Sequence, residues 1–213
     1  MNKNEKFVIT INRELGSGGR TVGEKLAAKL GVRFYDKALI KALTERYHLS
    51  VEEIENLKGR NHSWWADFAR GFLLAEKANM MYYNDISVFD EPDVLTTDEM
   101  FTLEKAILKD IASEESCIIA GRLGFHVFSE HPNHLSILIQ APMEQRIERV
   151  MLKQKLSREE AEKVIKKVDK MRENYVNKYA KTSRYDTRNY DLVISMAGHS
   201  EDEVVDLILQ YIK

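Results

Sequence analysis

Five short runs of apolar, largely β-branched residues punctuate the chain: positions 7–12 (FVITIN), 32–35 (VRFY), 116–120 (SCIIA), 135–140 (LSILIQ) and 190–195 (YDLVIS). Their composition and abrupt ends predict strands. The runs are near-continuous rather than alternating, which predicts strands covered on both faces and therefore a parallel sheet. Between them the apolar positions follow the helical period. Residues 21–30 come after a glycine-rich turn and stop at Gly31, a residue type suited to the left-handed position past a helix end. Ser50, Thr96, Ser157 and Ser200 each stand three residues before a glutamate, the spelling of a capping box. Beyond Ser157, the residues Ala161, Val164, Ile165, Val168, Met171 and Tyr175 share one helical face, with lysines on the other. In the last helix, about 201–211, Val204, Val205, Ile208 and Leu209 form one stripe. This alternation predicts a three-layer α/β fold around a five-stranded parallel sheet. Positions 63–100 hold no clear strand and read as helical insertion plus loop. The whole chain is expected to be one domain, with an insertion at about 45–110 and a lid region at about 153–188.

Composition narrows the function. A chain of 213 residues, 44% hydrophobic and 31% charged, suits one globular domain with a sizeable core and excludes wholesale disorder. The 32 basic and 34 acidic side chains leave a formal charge of −2, so no global positive field points to nucleic acid. The charge is uneven, however: positions 144–188 carry 14 Lys and Arg against 8 Asp and Glu. Alone, that excess describes a solvated helix face; beside a phosphate site it acquires a purpose. The single cysteine, Cys117, has no internal disulfide partner and suits a reducing compartment. The first apolar run ends at Asn12, too short for a signal peptide core, and no stretch approaches the roughly 20 apolar residues of a membrane span. The expectation is a cytoplasmic protein with neither a membrane nor a nucleic-acid partner.

The most informative window is FVITINRELGSGGRTVGEKLAAKLG, a buried strand leading through Gly16, Ser17, Gly18 and Gly19 into an amphipathic helix. Glycines let such a loop turn its N–H groups inward, and the helix adds about half a positive charge at its N-terminus. The combination suits the phosphates of a nucleotide. The Walker A spelling is imperfect: Arg13 stands where the first glycine belongs and Gly19 where the lysine belongs. Arg20 is the nearest cation along the chain, but one residue swings a helical side chain by about 100°. Its guanidinium is long and bidentate and has another route to phosphate oxygens. Thr21 carries the hydroxyl that such loops direct at Mg²⁺.

In these residues the chain resembles the cytidylate kinase-like group of P-loop nucleoside monophosphate kinases, in particular a divergent branch spelled with RE, GSGGR and then FYDK after the next strand. Three further segments carry the likeness. CIIAGR, ending at Arg122, is similar to the strand leading into a Gly-Arg-Asp motif that holds the acceptor nucleotide. HLSILIQ and APMEQRIER, positions 134–149, are similar to the fourth strand and next helix. Asp169 to Arg172, with Tyr175 and Tyr179, resembles the lid helix whose arginines close over the donor phosphates. The resemblance implies a P-loop NTPase-like fold with a helical lid and a helical acceptor-binding insertion. It also implies ATP and Mg²⁺ as cofactors and a small-molecule phosphate acceptor such as CMP. Two departures weaken cytosine recognition in particular: Leu123 replaces the aspartate and Ala120 replaces an acidic residue.

Phosphoryl transfer needs positioning and charge neutralisation. Arg20 from the loop, Arg122 from a strand end, and Arg172 with Arg184 or Arg188 from the lid region are the candidate cations. Asp36 follows the second strand at the crevice end of the sheet and suits Mg²⁺ or acceptor orientation, or an N-cap for a helix starting at Lys37. Lys41, a turn further, is a candidate for the acceptor phosphate. His126, His131 and His134 lack metal-ligand spacing and read as loop histidines. The aromatic and methionine residues of positions 64–83 suit core, an acceptor pocket or a dimer surface. Cys117 reads as an inert strand residue, and Ser17 has no His and Asp partners for nucleophilic catalysis. Beside the leading reading of a nucleoside monophosphate kinase stand two others, a nucleotide-binding regulatory module without turnover and a kinase for a non-nucleotide metabolite.

Overall fold

Strand β1 (Val8–Arg13) lies at the centre of a five-stranded, fully parallel sheet in the order β2–β3–β1–β4–β5. Its neighbours are β3 (Cys117–Ala120) and β4 (His134–Gln140), with β2 (Arg33–Tyr35) and β5 (Leu192–Ser195) at the edges. The computed structural model describes residues 1–36 and 98–212. Lys41, the Ser50 and Thr96 capping boxes and the aromatic run at 64–83 lie outside the described residues.

The unbroken apolar runs put side chains on both faces of the sheet. Ile9 and Ile11 pack with Ile118, Ile137 and Ile139 against helices α1 (Gly19–Leu30) and α6 (Glu201–Tyr211). On the other face Val8, Cys117 and Ile119 meet α2 (Asp98–Glu114) and the short α3 (Gly124–Val127) through Ile107, Leu108, Ile111 and Phe125. A third cluster joins α4 (Met143–Gln154) to the long α5 (Arg158–Ala180). Val8, Ile9, Ile11 and Ile118 are wholly inaccessible, each side chain contributing about 1.5–3 kcal/mol.

Local signals act as their chemistry requires. Ser157 and Ser200 each form a complete capping box, with Glu160 and Glu203. Gly31 ends α1 at φ 68°. The buried face of α5 is Ala161, Ile165, Val168 and Val176, with Tyr175 half-buried. Register at the β5 edge is held by Asp191, whose carboxylate accepts from both the N–H and the hydroxyl of Ser136 at 2.7 and 2.9 Å. No helix among the described residues is long and apolar enough to cross a membrane. With β3 on one side of β1 and β4 on the other, the crevice at the C-terminal strand ends opens where β1 leaves the sheet.

Candidate functional site

β1 continues its ladder one residue past Arg13, as Glu14 N–H donates to Ile139 O at 3.1 Å. Leu15 then turns into the α4–α5 cluster and is buried. Gly16 follows at φ 79°, where a Cβ would lie 2.7 Å from the carbonyl oxygen of Arg146. Ser17 is buried too; its hydroxyl donates to Glu14 O at 2.9 Å and accepts from Gly19 N–H at 3.3 Å. Its side chain therefore shapes the loop from within. Gly18, at φ 85°, is the N-cap of α1, and a Cβ there would press on the Arg149 guanidinium at 3.2 Å.

The start of α1 leaves backbone donors uncapped. It has no side-chain cap and no acidic residue in its first turn. The first helical bond runs from Val22 N–H to Gly18 O, and the N–H groups of Gly18 and Thr21 have no acceptor among the described residues. They open onto a cleft of about 500 Å³, mouth included, lined by the loop and by Arg13, Arg20, Thr21, Arg149, Lys153 and Arg172. Here the uneven charge finds its place, because Arg149 and Lys153, one turn apart on α4, and Arg172 on α5 come from the basic segment.

Behind the loop lies a buried ionic network. Arg146 donates from Nε to Leu15 O at 2.8 Å and pairs with Glu14 at 3.2 Å and with Asp169. Glu14 also accepts from Ala141 N–H at 3.1 Å. Arg172 and Arg184 both donate to Arg13 O, at 3.1 and 2.5 Å.

The sequence-derived candidates divide accordingly. Gly16, Gly18, Gly19, Arg20, Thr21 and Arg172 border the cleft. Arg20 meets a second candidate there, since its guanidinium pairs with Asp36 at 3.0 Å and with Glu24 at 3.0 Å. Arg122 stands apart, half-buried against Glu104 of α2 and 5.6 Å from the Tyr175 ring centre. Arg184 does not line the cleft: it is fully buried, and its groups go to Arg13 O and to Asp169 at 3.4 Å. Arg188 points to solvent and pairs with Asp186 at 2.7 Å. Arg13, Arg149, Lys153 and Glu104 were not among the predicted site residues. The i, i+4 spacing of Arg149 and Lys153 was a usable signal; Glu104, a buried charge in a helical pattern, left none.

The sequence Gly121-Arg122-Leu123 takes three successive positive φ values, 81°, 54° and 56°. Only the first is easy for its residue type; the two L-residues store strain of about 1–3 kcal/mol each. Leu123 is held by burial in the α2 cluster, and Ala120 is fully buried in β3. Both side chains are apolar and buried.

Other features are structural. His134 is a strand residue, not a loop one; its Nε2 lies 2.7 Å from Thr10 Oγ1, and burial pushes its pKa down to about 4. No group of three metal-ligating side chains occurs among the described residues. Burial pushes the Cys117 thiol up to about 12, which keeps it protonated and unreactive. Tyr190, also pushed up to about 12 by burial, donates to Arg184 O at 2.8 Å and receives Asn12 Nδ2 at 2.5 Å.

A sequence model of the cytidylate kinase-like family matches residues 8–197. A cytidylate kinase of Sulfolobus acidocaldarius is 26% identical over 206 residues, covering 94% of this chain and 91% of that protein. Cytidylate kinases from several Saccharolobus islandicus strains are 30% identical over 110 residues, 52% of this chain, and the match spans 58% of their length. An S-adenosylmethionine-dependent nucleotide dehydratase of Lacinutrix mariniflava is 26% identical over 209 residues, 36% of its own length. Among solved structures, an uncharacterized protein from Eubacterium ventriosum superposes with a TM-score of 0.70 at 24% identity, covering 98% of both chains. A gluconokinase from Sinorhizobium meliloti gives 0.50 at 13% identity, covering 96% and 90%.

Proposed function

This chain belongs to the cytidylate kinase-like family, and from that premise we propose that it is an ATP- and Mg²⁺-dependent phosphotransferase. Its acceptor is a small molecule, a nucleoside monophosphate such as CMP. The observation that carries this reading is the cleft at the start of α1, where N–H groups of Gly18 and Thr21 that have no acceptor among the described residues open among Arg13, Arg20, Arg149, Lys153 and Arg172.

The residues fit a polyphosphate. Loop amides and the helix N-terminus bind anionic oxygens, and the surrounding cations offset charge that two anionic partners bring together. Thr21 supplies the hydroxyl for Mg²⁺, an ion that needs few protein ligands when phosphates complete its shell. Bound Mg·ATP supplies the transferable phosphoryl group and partial neutralisation of its charge. Arg149 and Lys153 from α4 and Arg172 from α5 are the side chains that would hold the donor phosphates. Arg122, which pairs with Glu104 just past the end of β3 and outside the cleft lining, would orient the acceptor from there. Arg184, buried under Arg13, keeps the loop in shape.

A second reading, a non-nucleotide acceptor, is favoured by one observation: Ala120 and Leu123 are buried and apolar where resembling kinases use acidic groups to hold the acceptor. The regulatory reading without turnover draws on Gly19 standing at the lysine position. ADP release from Mg·ATP, measured with nucleoside monophosphates and with small alcohols, separates them. Stimulation by CMP or another monophosphate is the expected result. Stimulation by an alcohol alone selects the non-nucleotide acceptor. Nucleotide binding without turnover selects the regulatory reading, and absence of nucleotide binding overturns all three.

A further inference from the structure

We propose that Arg13 is the phosphate-binding cation of this loop, moved from the first turn of α1 to the last residue of β1, and that Gly19 is glycine so that Arg13 can pass. The inference deepens the phosphotransferase reading and rests on it.

Two departures from the usual loop spelling explain each other. A Cβ at Gly19 would lie 2.7 Å from Arg13 Cβ and 3.3 Å from its Cγ, so a side chain there and the Arg13 stem compete for one space. Gly19 is helical and has no positive φ, so its backbone does not call for glycine. Glycine is a poorer helix former than alanine. The close approach of Arg13, with Ile139 Cβ also 3.2 Å from the would-be atom, is what requires it. Position 13 has gained a long cation where position 19 has lost one.

The head of Arg13 lies beyond the stem. Its Nη1 stands where a Cβ on Gly121 would be, well inside van der Waals contact, so the guanidinium reaches from the start of α1 to the end of β3. That path runs between the donor loop and the strand end bearing Arg122, the interval a transferred phosphoryl group must cross. Arg13 also lines the cleft. Its backbone is held in place: N–H donates to Asn12 Oδ1 at 3.0 Å, and its carbonyl receives Arg172 and Arg184. Arg20, the other claimant, pairs with Glu24 and with Asp36, each at 3.0 Å.

The test compares Arg13→Met, Arg13→Ala, Arg20→Met and the exchange variant Arg13→Gly/Gly19→Lys. Titration calorimetry measures Mg·ATP binding, steady-state kinetics measures turnover, and circular dichroism checks folding. Arg13→Met keeps a stem over Gly19 and so remains interpretable if Arg13→Ala does not fold. Loss of a charged hydrogen-bonding group is expected to weaken ATP binding or turnover by about 10–100-fold in Arg13→Met. Arg20→Met is expected to lose less, and the exchange variant to recover most of the deficit. Wild-type affinity and turnover in Arg13→Met, with the loss in Arg20→Met instead, overturns the assignment while leaving the enzyme reading intact. An exchange variant as impaired as Arg13→Met overturns the positional-exchange account. Wild-type protein that binds neither ATP nor inorganic triphosphate overturns the function itself.

Discussion

The carboxylate of Asp169, in the middle of the long helix α5, accepts a hydrogen bond from the backbone N–H of Leu15 at 3.1 Å. The same carboxylate pairs with Arg146 of α4 and, at 3.4 Å, with Arg184. One side chain thus ties the loop to both helices that flank it, and the conformation at Gly16 depends on groups more than 100 residues away. The loop is preorganised by this network before any ligand arrives.

Asp169→Ala is expected to destabilise the fold by about 3–5 kcal/mol, because it leaves the buried Arg146 guanidinium with Glu14 as its one remaining carboxylate among the described residues. Urea denaturation gives the magnitude. Nucleotide affinity of the folded fraction should fall as well, since Leu15 N–H loses its acceptor. A midpoint equal to that of wild type would show that Glu14 suffices for Arg146.

Gly16→Ala tests the loop backbone directly. The new Cβ would meet Arg146 O at 2.7 Å and sit at positive φ, so a loss of about 1–3 kcal/mol is expected. Gly198→Ala is the control: it has positive φ but nothing within 4 Å of the new atom. It should cost about 1 kcal/mol. Equal melting shifts for the two variants would mean that the loop yields to the methyl group.

Acid sensitivity should centre on His134. Its folded pKa is about 4, against about 6.5 when free, because burial disfavours the imidazolium. The unfolded chain therefore takes up the proton first as pH falls. Stability drops between about pH 6.5 and 4 and levels off below, by roughly 3 kcal/mol from this group. His134→Gln, which keeps a partner for Thr10, should flatten that slope. Parallel pH profiles of the two proteins would refute the assignment.

Arg20 and Asp36 should act as a unit. Arg20→Ala and Asp36→Ala are each expected to lower kcat/KM, and the double variant to lose less than the product of the two effects. A coupling of about 0.5–3 kcal/mol is typical of residues in contact. Strict additivity in a double-mutant cycle would mean that the ion pair does not report on the chemistry.

Strand number, parallel pairing and the two described capping boxes were all legible along the chain. They depend on contacts within a few residues or on runs buried on both faces, such as FVITIN and LSILIQ. The glycine turn between β1 and α1 was legible for the same reason, because glycines between a strand and a helix mark a local backbone conformation. The partners of the charges were not. Arg184 and Arg172 have the same composition and stand twelve residues apart, yet one is buried beneath Arg13 and the other borders the cleft. Which of them borders the cleft depends on where α5 crosses the loop, a relation set by packing among Leu15, Ile147 and Ile165. The exchange between positions 13 and 19 likewise becomes visible only when a stem and a missing Cβ are seen to claim one space. Periodicity and turn chemistry are short-range properties and can be read from order alone. The direction of a long charged side chain is decided by volume and by carboxylates brought from elsewhere, and that only the tertiary structure contains.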